Sequence, residues 1–144
     1  MGYGMTSQAV VDLVQAKWAA SLDEDLPYYD SINTEPDPAP LPDLWGSLSF
    51  PESSEDKISI GDSLSLYRER GTVTIVIANR AGAGRSAIQA AAEACRTAFR
   101  TYVSDDGMMR ITSVSPVRFS SGDSVYGTFF LSFVDLAYSY DFYQ

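Results

Sequence analysis

The stretch Gly71–Val103, GTVTIVIANRAGAGRSAIQAAAEACRTAFRTYV, decides the fold. Its first part sets Val73, Ile75 and Ile77 on alternate positions, the period of a strand with one buried face. Gly82 and Gly84 then reverse the chain, since glycine adopts backbone conformations closed to other residues. From Ser86 onward the apolar residues return at helical spacing. Ala87, Ala91, Ala94, Cys95 and Ala98 make a small-residue face, with Ile88 and Phe99 as larger anchors, so this helix can lie close on a sheet. Ser86 and Gln89 match the S-x-x-Q capping box, whose side chains satisfy backbone N–H groups of the first turn; the cap contributes about 1 kcal/mol.

Gly82-Ala83-Gly84-Arg85-Ser86-Ala87 also fits the G-x-G-x-x-G/A turn of dinucleotide sites, which opens a reading of another class: a small NADP-binding enzyme. Such a site needs a parallel sheet and an acid at the end of the next strand to hold a ribose hydroxyl. The next strand, Met109 to Val117, ends instead in Arg118, a residue suited only to a 2′-phosphate. No further βα repeats follow, and the last strands are joined by the short turn of an antiparallel hairpin. Chain reversal and capping account for more of these residues, so no cofactor is expected.

Toward the N-terminus, residues 6–22 predict an amphipathic helix capped at Thr6 or Ser7, with Val10, Leu13, Val14 and Trp18 on its apolar face. Pro27, Pro36, Pro38, Pro40 and Pro42 exclude helix from the segment that follows, so 26–43 is expected to be a long loop, with Tyr28, Tyr29 and Ile32 able to form a short edge strand. Leu44, Leu48 and Phe50 predict a strand. Residues 51–57, rich in serine and acids, predict a second exposed loop. Leu64 and Leu66 alternate out of phase with Val73, which places a bulge or bend near Arg70-Gly71.

Toward the C-terminus, Asp105-Asp106-Gly107 is a turn, Met109–Val114 a strand ended by Pro116, and Ser120–Ser124 a second turn. The closing strand is expected from Val125 to Tyr143. Residues 129–134 are apolar on both faces, and Leu136, Tyr138, Tyr140 and Phe142 continue an apolar ladder on one. A strand apolar on both faces needs two covers, and the second is expected from another subunit.

With 144 residues the chain has the length of one domain, taken as 1–144. It has one cysteine and no histidine, so an internal disulfide is impossible and Ser-His-Asp or Cys-His catalysis is excluded. Cys95 reads as a small core residue. No apolar run approaches the roughly 18 residues that span a bilayer, and the first residues lack a basic segment ahead of an apolar one. The acids of the N-terminal half match no calcium loop, and no metal is expected. Net charge is −9, with eleven carboxylates between Asp23 and Asp62 against Lys57 alone, whereas eight arginines lie between Arg68 and Arg118. This overall sign disfavours sequence-specific nucleic acid, and the polarity favours copies stacking acidic patch to basic patch.

The pattern Leu66-Tyr67-Arg68-Glu69-Arg70-Gly71-Thr72-Val73-Thr74-Ile75-Val76-Ile77, then Gly82-Ala83-Gly84, then a helix ending Ala98-Phe99-Arg100, resembles the tail terminator or tail completion proteins of long-tailed bacteriophages, the lambda minor tail protein U type and a related phage domain. The N-terminal helix, Tyr29-Asp30-Ser31-Ile32-Asn33 with prolines after it, and an aromatic closing strand are similar in order and spacing. The resemblance covers most of residues 7–142; the acidic, proline-rich 35–43 departs from it. It implies an α+β fold, a mostly antiparallel sheet with two helices packed on one face. It also implies a structural, non-enzymatic virion protein, assembled in the host cytoplasm. A homo-oligomeric ring, a hexamer in that family, would cap the head-proximal end of the tail tube and meet a head completion or connector protein. A head–tail connector or neck protein is the nearest alternative. The candidate interface residues are Tyr28, Tyr29, Asp30, Trp45, Arg68, Glu69, Arg70, Tyr138, Tyr140 and Phe142.

Overall fold

The computed structural model describes residues 6–22, 24–28, 43–60, 64–80, 85–119 and 129–144. Helix α1 (Gln8–Ser21), strands β1 (Leu44–Ser59) and β2 (Leu66–Arg80), helix α2 (Arg85–Arg100) and strands β3 (Met109–Val114), β4 (Arg118–Phe119) and β5 (Phe129–Tyr143) follow in that order. The strands form one sheet in the order β1-β2-β5-β3, and β4 pairs β5 beyond the end of β3. Every pairing between these strands is antiparallel. β2 and β3 therefore run the same way but are separated by β5, which makes β2-α2-β3 a split crossover unit. The fold is α+β, with both helices on one face of a mostly antiparallel sheet.

The core lies between the helices and that face. Val10, Val14 and Trp18 of α1 and Ile88, Ala92, Cys95 and Phe99 of α2 meet Leu48, Val73, Ile75, Ile77, Met109, Ile111, Val134 and Leu136 of the sheet in one buried cluster. The apolar stripe expected of α1 is thus the one used. On α2 the stripe is rotated from the expected one: Ala92 is buried, whereas Ala87 and Ala94 face solvent. α2 begins at Arg85, so Ser86 stands inside the first turn rather than at the cap. The turn at Gly82–Gly84, Tyr29, Asp30, most of the 26–43 loop and the turn at Ser120–Ser124 lie outside the described residues.

Two expectations about the strands need correction. β2 pairs with β5 without a register shift from Leu66↔Tyr143 to Arg80↔Phe129, so there is no bulge at Arg70-Gly71. The interruption is on β1, where Ser49 faces Thr74 and Glu52 faces Thr72, leaving Phe50 and Pro51 opposite Val73 alone. Proline has no N–H to give a ladder, and an edge strand tolerates the extra residue. Beyond the bulge β1 continues to Ser59, so 51–57 is strand and not loop. Its polar side chains reflect an edge strand, where charge and proline discourage unwanted pairing.

Candidate functional site

Because β2 is straight, its inward positions are Tyr67, Glu69 and Gly71 ahead of Val73, Ile75 and Ile77. Gly71 pairs with Tyr138. A Cβ at position 71 would lie 2.6 Å from both the Glu52 carbonyl oxygen and the Tyr138 hydroxyl oxygen, so the tyrosine ring occupies the space the glycine leaves. From there the Tyr138 hydroxyl donates to the Glu69 carboxylate at 2.5 Å, and the Ser7 backbone N–H donates to the same oxygen at 3.3 Å. Thr6 Oγ1 lies 3.3 Å from the Tyr138 hydroxyl. Ser7 is the N-cap of α1, as expected, but its hydroxyl makes no capping bond and the first turn holds no acid. Glu69 supplies that negative charge from the sheet, where it favours the helix N-terminus. Burial first, and then the bond to Glu69, raise the Tyr138 hydroxyl above its ordinary value. Glu69 and Tyr138, expected at an interface, are 4% and 2% exposed and fasten α1 to the sheet instead.

The face of the sheet turned away from the helices has a different chemistry. Residues paired across the strands on that side include Asp56, Arg68 and Asp141 in one row and Ser54, Arg70, Ser139 and Arg110 in the next. Arg68 Nε and Nη2 donate to the two oxygens of Asp141 at 2.7 and 2.9 Å, a fork geometry that holds the Asp141 carboxyl below the usual carboxylate range, with smaller help from Arg110 and Arg70. Arg70 reaches Asp56 at 3.5 Å. Further along the face, Asp135 accepts from Thr74 Oγ1 at 2.7 Å and from the guanidinium of Arg118, which pins β4 beside β5. Arg118 is also stacked over Phe133, 5.1 Å from its ring centre. Of the expected residues, the structure gathers Arg68 and Arg70 here, and it adds Arg110, Asp141, Asp56 and Asp135. Only strand register, invisible in a linear reading, brings those four together.

The remaining candidates are dispersed. Trp45 is fully buried, in a small cluster with Ala78 and Leu131 on the helix-free side, against which Val76 and Phe133 pack. Leu131 is therefore covered within the chain, whereas the adjacent Phe130 stays exposed. Tyr28 bridges Gly46 at the β1 edge and sets its ring edge-on to Trp18, with centres 5.6 Å apart. Tyr140 and Phe142 stack on the helix side, and Phe142 continues onto Tyr67 at 5.5 Å. These three rings extend the apolar ladder predicted for the last strand.

The neighbours of β2 are both antiparallel, so the sheet does not offer the parallel pair that a dinucleotide turn is built on, and Arg118 is already engaged by Asp135. Among the described residues no three Asp, Glu or Cys side chains gather as metal ligands, and no helix is long and apolar enough to cross a membrane. Cys95 is buried in the core, where desolvation pushes its thiol up to about 12. Neither a protein-family model nor a curated protein matches the chain. A solved structure that bears no functional name aligns over 98% of this chain and 99% of its own at 20% identity, with a TM-score of 0.55. That likeness is one of fold.

Proposed function

We propose that this chain is a structural protein of a long-tailed phage virion, a tail terminator whose copies close into a ring at the head-proximal end of the tail tube. Its partners are further copies of itself, the tail tube protein, and a head completion or connector protein. The role is binding, without catalysis. The observation that carries this reading is the one-sided build of the domain: two helices close one face of the sheet, and the other face presents ordered rows of arginine, carboxylate and hydroxyl groups. Such a face offers charge-complementary contacts without enclosing a substrate. Two helices on one face of a mostly antiparallel sheet are also the fold that the resemblance implies.

Native mass spectrometry together with negative-stain imaging tests the ring. A closed oligomer of fixed copy number is the expected result, and a strict monomer at every concentration and salt would count against it. Pull-down with tail tube protein and, separately, head completion protein divides the terminator from the neck protein: a terminator retains the tube.

A further inference from the structure

We infer that copies of this chain associate head to tail through the helix-free face, with β1 of one copy set beside β3 of the next; the inference rests on the ring reading above. Strand by strand, that face alternates in sign. Glu52 and Asp56 stand on β1, Arg68 and Arg70 on β2, Asp135 and Asp141 on β5, and Arg110 and Arg118 on β3 and β4. Inside one copy the columns neutralise each other, through Arg70–Asp56 at 3.5 Å, Arg68–Asp141 at 2.7 Å and Arg118–Asp135 at 2.9 Å. The pattern runs out at the two sides. Glu52 on β1 and Arg110 on β3 are both exposed, and neither forms an ion pair with another described residue.

A second copy with its β1 beside β3 continues the alternation unbroken. A twofold contact of β1 with β1 sets acids against acids, and one of β3 with β3 sets Arg110 against Arg110; like charges side by side destabilise both. The charge pattern therefore selects a heterologous contact, the kind that closes into rings. Apolar side chains flank both sides, Ile58 close to Asp56 and Val103 bridged to Arg110, at 43% and 52% exposure. The contact is made by side chains and not by a continuous strand ladder. The outer edge of β3 already bonds the chain before it, Ser104 N to Met109 O at 2.8 Å and Ile111 N to Tyr102 O at 3.0 Å. In the turn ahead of β3, Asp106 is held by Ser104 Oγ and the Met108 N–H, and Asp105 is exposed.

The test compares wild type, Glu52→Arg, Arg110→Glu and an equimolar mixture of the two variants by native mass spectrometry at low and high salt, with circular dichroism to confirm that each remains folded. Each variant alone is expected to dissociate at least about tenfold more readily at low salt, with the difference shrinking as salt screens the charges. The mixture is expected to recover oligomers holding both variants in equal amounts, since reversed β1 then meets reversed β3. If wild type assembles and both variants assemble equally well, the edge assignment is overturned while the ring reading stands. Variants that are monomeric alone and also when mixed overturn the pairing of β1 with β3. Wild type that never assembles overturns the ring reading itself, and this inference with it.

Discussion

Replacing Tyr138 by phenylalanine is expected to destabilise the protein by about 2 kcal/mol, because the Glu69 carboxylate loses its shortest donor while remaining buried. Hydrogen bonds to charged groups contribute roughly 1.5–3 kcal/mol, and the phenyl ring keeps the packing over Gly71, so the hydroxyl alone is tested. A loss of about 2 kcal/mol lowers the folding equilibrium constant roughly thirtyfold and the midpoint temperature by about 4–8 °C in a chain of this size. Trp18 and Trp45 are both buried, so their fluorescence follows urea unfolding directly. The urea midpoint is expected to fall with the slope unchanged. The same substitution also acts at high pH. The Tyr138 hydroxyl is held above its ordinary value in the fold, whereas in the unfolded chain it ionises near pH ~10. Its contribution is therefore complete below that pH and is lost as pH rises, by up to about 1.4 kcal/mol per unit. Tyr138→Phe should flatten that alkaline decline. A loss under about 0.5 kcal/mol, with the alkaline limb unchanged, would refute the role given to the Glu69–Tyr138 bond.

Gly71→Val places a branched side chain against the Glu52 carbonyl and the Tyr138 hydroxyl, and should cost at least about 2 kcal/mol in chemical denaturation. Cys95→Ala should weaken the loss of stability between pH ~9 and ~12, since the folded thiol titrates only at about 12 while the unfolded one releases its proton earlier; unfolding midpoints across that range measure it. Trp18→Ala empties the centre of the cluster and leaves the Leu26 carbonyl without the indole N–H that reaches it at 3.0 Å, a loss of about 3–5 kcal/mol by urea titration.

Elements with a strong period were readable from the sequence. Val10, Val14 and Trp18 on α1 and Val73, Ile75 and Ile77 on β2 are buried as their spacing requires. What failed was phase. Leu66 and Val73 differ in parity, and a linear reading assigns that to a bend in β2, but Glu69 and Gly71 hold the inward positions between them. An acid reads as exposed until its partner is known, and Tyr138 lies 69 residues away. The bulge went to the neighbouring strand, at a proline that had suggested a loop. Of the candidate contact residues, Arg68 and Arg70 stand on an open face, whereas Trp45, Glu69 and Tyr138 are internal. The complementary charges at Asp141 and Arg110 came into view only when strand register brought distant segments together.

The extra residue at Phe50–Pro51 gives β1 two halves that are half a pleat apart. Before it, Trp45, Ser47 and Ser49 point away from the helices; after it, Glu52, Ser54 and Asp56 do. Regular pairing of the same residues without the bulge would carry Ser53, Glu55 and Lys57 to the outer side and turn Glu52 and Asp56 inward, whereas deleting one of the two bulged residues would leave both halves on their present faces. The bulge thus works as a phase shifter: it lets one strand serve an apolar interior over its first half and a charged exterior over its second, and it fixes which acids stand on the open face.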